Sequence, residues 1–294
     1  MRPTLAAAVP IRVAYLGPAG TFSDDALRAA VGDAEIAAVP APTVYEAIRA
    51  VAEGEADRAL VPFENSIEGA VRATLDTLAF EAPVVTIVGE HDHPIRNSLI
   101  ARQPLPLERI EVVLSHPQAS AQCARFIREQ LPGALVRAAA STAEAVREVA
   151  ATSEPWAALG AASAARIYGC VVLREGVEDS PDNVTRFVWI APGSTRPAGD
   201  GPWRTTLVFS ELGPDHPGAL IEALSEFSSR EVNLTRIESR PLRRGLGRYM
   251  FFIDIEGAAA EPAVAEAIEE LRGKAESVRI LGSYPIGVNG VPGL

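Results

Sequence analysis

The chain has 294 residues, 48% of them hydrophobic, which is ample for a substantial core and two domains. Its formal net charge of −11 argues against a nucleic-acid or anionic-membrane role, so an anionic ligand must be held by local arginines or helix N-termini. Lys274 is the one lysine and lies in a polar stretch, which nearly excludes Schiff-base chemistry.

Residues 11 to 190 alternate between apolar strand-like runs and Ala/Arg/Glu-rich helical runs, the signature of α/β architecture. In chain order the pattern predicts a strand over 11–16, a turn over 17–21, a helix over 23–31, and a helix over 43–53 with Thr43 as N-cap. Strands follow over 59–63, 83–90 and 110–114, then helices over 118–130 and 142–151. A strand over 157–160, a helix ending at Gly169 and a strand through Thr185 and Arg186 complete the set. Residues 191–202, APGSTRPAGDGP, are half Pro and Gly and read as a linker.

Residues 203–285 follow a strand–helix–strand–strand–helix–strand order, the βαββαβ plan of ferredoxin-like domains. Leu220, Leu224 and Phe227 follow helical spacing and should face its sheet; Asp215 and Pro217 supply an N-cap region and a Pro near the first turn. Residues 286–294 read as a tail. The sequence contains no membrane-length apolar run, and its start, MRPTLAAAVP, is too short and weakly apolar for a signal segment, so a cytoplasmic location is expected.

Three polar stretches follow or open apolar strands. Gly17–Ser23 (GPAGTFS) places glycines between a strand and a helix, which suits either a plain turn or an anion-binding helix N-terminus. Glu64, Asn65 and Ser66 lie directly past a strand, where open α/β sheets place ligands; a helix-capping turn is the alternative. Thr185 and Arg186 head the run TRFVWI, where unpaired polar groups are costly, so either an anionic ligand or an ion pair is expected. Cys123 and Cys170 have no disulfide or metal spacing, His91 and His93 lack a third ligand, and adjacent Ser115 and His116 are a poor nucleophilic pair.

Together, YLGPAGTFS (Tyr15–Ser23), VPFENSIEGAV (Val61–Val71), SHPQASAQC (Ser115–Cys123) and NVTRFVWI (Asn183–Ile190) resemble the signature regions of prephenate dehydratases, in the right order. HPGALIEAL (His216–Leu224) and NLTRIESRP (Asn233–Pro241) resemble the phenylalanine-sensing motifs of an ACT regulatory domain. Phe63 stands where family members commonly carry Ile, a tolerated core exchange.

The resemblance implies a two-lobed α/β catalytic domain over 11–190, periplasmic-binding-protein-like with a cleft between its lobes, and a ferredoxin-like ACT domain over 203–285. With so little chain before the first strand, it also implies a monofunctional enzyme without a chorismate mutase domain. The implied reaction takes prephenate to phenylpyruvate in phenylalanine biosynthesis with no cofactor and no metal. Arogenate dehydratase and a non-catalytic amino-acid-sensing protein remain the alternatives. Under this reading Thr185 donates a proton to the leaving hydroxyl with Glu64 as rival acid, Arg186 anchors a carboxylate, and Phe187 completes the catalytic motif. Asn65, Ser66, Gly20 and Thr21 hold the substrate. Pro217, Gly218, Ala219 and Leu220 receive L-phenylalanine, with Asn233, Glu238, Ser239 and Arg240 completing the pocket in a homodimer or homotetramer joined through ACT domains.

Overall fold

The computed structural model describes residues 10–212, 216–287 and 290–292. The chain forms two compact units, one of residues up to Thr74 with His91–Phe187, the other of Leu75–Glu90 with 188–294. The predicted N-cap at Asp215 lies outside the described residues. Among those residues no helix is long and apolar enough to cross a membrane.

The first unit begins with β1 (Ile11–Leu16), α1 (Phe22–Val31), β2 (Ile36–Ala41), α2 (Val44–Ala52) and β3 (Arg58–Asn65), which ends at a short β4 (Gly69–Ala70). β1 pairs in parallel with both β2 and β3, as right-handed βαβ connections require. The predicted Thr43 cap is present: its side chain accepts the Glu46 N–H at 3.1 Å, worth about 1 kcal/mol. A helix α3 (Arg72–Asp76) and a π-turn (Thr77–Glu81) lead to β5 (Val85–Pro94), which runs from the second unit back into the first.

A second sheet follows in the same unit: β6 (Ser98–Ala101), β7 (Val112–Ser115), β8 (Leu135–Ala138), β9 (Trp156–Gly160) and β10 (Val171–Glu175), ordered β10–β6–β9–β7–β8. Between these strands lie α4 (Pro117–Gln122), α5 (Ala124–Gln130), α6 (Thr142–Ala151) and α7 (Ala162–Tyr168). The single helix expected over 118–130 is two helices, broken at Cys123. The cause is a distant carboxylate: Asp179 takes the Arg125 N–H at 3.0 Å, capping α5, while its own N–H donates to Gln122 O. Burial pushes the Cys123 thiol up to about 12, consistent with a packing role.

β11 (Val184–Pro192) starts beside β3 and leaves the first unit after Phe187, so the strand runs two residues past the expected linker boundary. The second unit then contains β12 (Trp203–Ser210), α8 (Ala219–Ser228), β13 (Leu234–Pro241), β14 (Tyr249–Glu256), α9 (Pro262–Arg272) and β15 (Ser277–Pro285). Its strands are ordered β13–β14–β12–β15, with β15 followed by β5. Leu207, Phe209, Ile253 and Ile255 pack against Phe227 of α8 and Leu271 of α9, with Leu220 and Leu224 closing the cluster as the helical spacing predicts. β15 meets β5 only because residue 282 is glycine: a Cβ there would collide with the Ile87 backbone.

Candidate active site

A cavity of about 380 Å³ opens in the first unit at the carboxyl ends of β1 and β3 and beyond β7 and β8. Leu16, Thr21, Asn65, His116, Gln122, Ser141, Thr185 and Phe187 are among the residues on its wall. No Arg, Lys, Asp or Glu is among the lining residues. Electropositive character comes from the backbone instead. Phe22, Val44 and Thr142, each the first residue of a helix, all line the cavity. Each such N-terminus carries the equivalent of about half a positive charge and free N–H groups.

Local sequence fixes these termini. Thr21 Oγ1 accepts the Asp24 N–H at 3.3 Å while Asp24 takes the Gly20 N–H at 2.9 Å, a reciprocal capping arrangement. Ser141 Oγ accepts the Glu144 N–H at 3.0 Å. Within the unit, Tyr168 Oη of α7 donates to Ala19 O at 2.9 Å, tying α7 to the turn before α1.

The alternation of side chains along β11 divides its motif. Thr185 and Phe187 face the cavity, so Arg186 faces the other way, and its guanidinium pairs with Glu64 Oε2 at 3.0 Å. Arg186 also lies over the Phe63 ring, 4.9 Å from its centroid. Neither Arg186 nor Glu64 is among the residues lining the cavity, and the two pair with each other. Ser66 is likewise engaged elsewhere, its Oγ accepting the Val184 N–H at 3.0 Å and stitching the β3 turn to β11. Gly20 does not offer its N–H to a ligand, since Asp24 has it. Its φ of +84° and its approach to Ala164 explain the glycine. Thr21, Asn65, Thr185 and Phe187 are the expected residues that do line the cavity.

Four lining residues outside the expected set matter: His116, Gln122, Ser141 and Thr142. His116 Nδ1 accepts the Gln118 N–H at 3.3 Å, capping α4. Ser115 Oγ donates to Leu159 O at 2.8 Å and is not a nucleophile for that histidine. Behind Phe187, His93 makes an edge-on contact at 6.4 Å and lies 5.9 Å from His91. Burial, with the neighbouring His91, pushes His93 down to about 4, so it is neutral at neutral pH.

In the second unit a cavity of about 600 Å³ is lined by Gly218, Ala219, Leu220, His216, Tyr249 and Phe251 among others. Gly218 caps α8 at φ 100°. Pro217 sits in the turn just before, whereas Asn233, Glu238 and Ser239 do not line this cavity within the single chain. Arg240 makes a two-pronged bond to Asp76, at 3.1 and 2.6 Å.

An α/β fold with a cavity walled by helix N-termini, amides and hydroxyls, carried on one chain with a βαββαβ module, has the make-up of an enzyme with a sensor-type domain. The chain belongs to the prephenate dehydratase family: it matches that family over residues 13–195 and the ACT domain over residues 206–273. A prephenate dehydratase of Amycolatopsis methanolica is 43% identical over 276 residues, covering 93% of this chain and 88% of the relative. The crystal structure of a prephenate dehydratase from Arthrobacter aurescens in complex with L-Phe superposes with a TM-score of 0.85 at 41% identity, over 94% of this chain and 90% of that one. GqqA, described as a novel type of quorum-quenching acylase, superposes at 0.82 with 33% identity, over 94% and 98%. The chain is accordingly an enzyme of the lyase class.

Proposed function

We propose that the first unit binds prephenate in the 380 Å³ cavity and that Thr185 delivers the proton lost with the ring hydroxyl. The ring carboxylate leaves as carbon dioxide, its bonding electrons enter the ring, and the hydroxyl departs as water on taking the proton. Aromatisation drives the step, so positioning and a water-poor pocket suffice. Helix N-termini and the amide of Gln122 hold the two carboxylates in place of arginine. The observation that carries this reading is a wall rich in donors with no carboxylate among its lining residues. The same observation favours prephenate over arogenate, whose ammonium group needs an acceptor.

The second unit takes L-phenylalanine in the cavity beside Gly218–Leu220, in a cytoplasmic homo-oligomer. β13 supports the assembly: it is an edge strand with alternating exposure, and Ile237 on it is 48% exposed. Within this unit Arg240 of β13 pairs with Asp76, the last residue of α3. Effector binding that shifts β13 shifts Asp76 with it.

The test is an assay with prephenate or arogenate, with and without phenylalanine. Phenylpyruvate from prephenate at a rate altered by phenylalanine is expected. No turnover of either substrate with phenylalanine still bound would leave only a sensing protein. In D76N, basal turnover is expected to persist while the phenylalanine response weakens by about fivefold or more, the lower end of allosteric couplings. An unchanged response curve would remove the Arg240–Asp76 link.

A further inference from the structure

Asn183 is buried, with 1% exposure, at the mouth of β11, and its amide bridges two residues of the cavity wall. We propose that Asn183 is a positioning residue that sets the hydrogen-bond polarity of the active site, so that Thr185 and Gln122 both present donors to the substrate. The proposal rests on the assignment of the cavity as the dehydratase site.

The polarity starts from the backbone. Asn65 Oδ1 accepts the N–H groups of Ile67 and Glu68, both at 3.0 Å. A backbone N–H only donates, so this end of the Asn65 amide is the oxygen and Nδ2 points the other way. Nδ2 donates to Asn183 Oδ1 at 2.7 Å and to Thr185 Oγ1 at 2.9 Å. With its oxygen engaged, Asn183 turns Nδ2 to Gln122 Oε1 at 3.1 Å. Each link orients the next.

Two hydrogens are left over. Thr185 Oγ1 accepts from Asn65, so its own O–H is available; Gln122 has spent its oxygen, so Nε2 is available. Both side chains line the cavity, and among the described residues neither hydrogen has another acceptor. A departing hydroxide and a carboxylate both require donors. An unanchored Gln122 amide would offer its oxygen to the anion half the time. Asn183 removes that half.

The informative variant is N183D, close to isosteric. As a carboxylate, the new side chain accepts on both sides, draws Gln122 Nε2 towards itself and turns Gln122 Oε1 into the cavity. As a neutral acid, its O–H donates to Gln122 and its C=O accepts from Asn65, which restores the native polarity. At pH 8, kcat/KM is expected to fall about a hundredfold, the scale of losing one oriented donor. It should recover as pH falls through the carboxyl's pKa, which burial raises above its ordinary value of about 4.

The ionisable groups on neighbouring elements are His116, the Arg96–Glu178 and Arg186–Glu64 pairs, Asp179 and Asp182. All are shared with the parent enzyme, so the ratio of variant to parent activity isolates the new carboxyl. A ratio constant from pH 5.5 to 8, or parental activity at pH 8, overturns the proposal. Thermal unfolding is followed alongside. If N183D does not fold, Q122E decides: it satisfies Asn183 but aims an oxygen at the substrate, so KM should rise, and an unchanged KM overturns the proposal. T185V separates the two levels. Full turnover in T185V would remove the underlying site assignment, whereas an inactive T185V with a flat N183D ratio removes the role of Asn183 alone.

Discussion

Replacing Thr185 with valine is expected to lower kcat on prephenate by about 10²- to 10³-fold, the cost of removing one well-placed donor from a water-poor site. Valine preserves the β-branched shape that suits β11, so the strand and its packing should survive. Asn65 Nδ2 loses one of its acceptors but keeps Asn183 Oδ1, which limits the stability cost to about 1 kcal/mol. T185S, which retains the hydroxyl, should keep most of the turnover. The measurement is phenylpyruvate formation at saturating prephenate, with KM determined separately. If T185V stays within about threefold of the parent, where transition-state stabilisation differs by well under 1 kcal/mol, Thr185 is not the donor. Glu64 is a weaker candidate on geometry alone, since its carboxylate is engaged by Arg186 and lies off the cavity wall.

Most elements with strong periodicity were legible in the sequence, because apolar spacing reports which face meets a core. The βαββαβ order of the second unit follows from residues 203–285 almost strand for strand. Shorter strands were not. β8 (Leu135–Ala138) is exposed at all four positions and sits at a sheet edge, so it has no burial pattern to betray it. β2 carries Pro40, a residue that argues against a strand unless it lies at an edge, as β2 does.

The site was half legible. Thr185 and Asn65 stand out as polar residues at strand ends, but the direction of a side chain depends on strand alternation, which sends Arg186 away from Thr185. That same alternation offered a signal for Asn183, two residues before Thr185 on the same face. Ser141 carries no comparable local mark, and Gln122 is marked only by its place in the SHPQASAQC stretch. They reach the cavity only because the second sheet of the unit folds them there.

The second large expected effect lies at Glu90, where linear domain boundaries mislead. The sequence delimits a regulatory domain over 203–285, yet Leu75–Glu90 packs into the same unit. Thr86 Oγ1 donates to Leu281 O at 3.0 Å, Gly282 faces Ile87, and Glu90 pairs with Arg204 at the start of β12. That ion pair is largely buried, with Glu90 and Arg204 side chains 6% and 18% exposed. Deleting one partner leaves an uncompensated charge in a low-dielectric setting, which costs about 3–5 kcal/mol. E90A is therefore expected to lower the unfolding free energy of the second unit by that amount. A double replacement with apolar side chains, E90L/R204M, should recover most of it, because the desolvation penalty disappears with both charges. Urea unfolding of the full chain, followed by circular dichroism and by the combined fluorescence of Trp156, Trp189 and Trp203, distinguishes the outcomes. Coincident curves for E90A and the parent would show that the pair contributes nothing to stability. An early transition in E90A that is repaired in the double variant would establish that a segment far from the ACT motifs in sequence holds the regulatory unit together. Loss of the phenylalanine response should then accompany E90A even though Glu90 does not line the effector cavity.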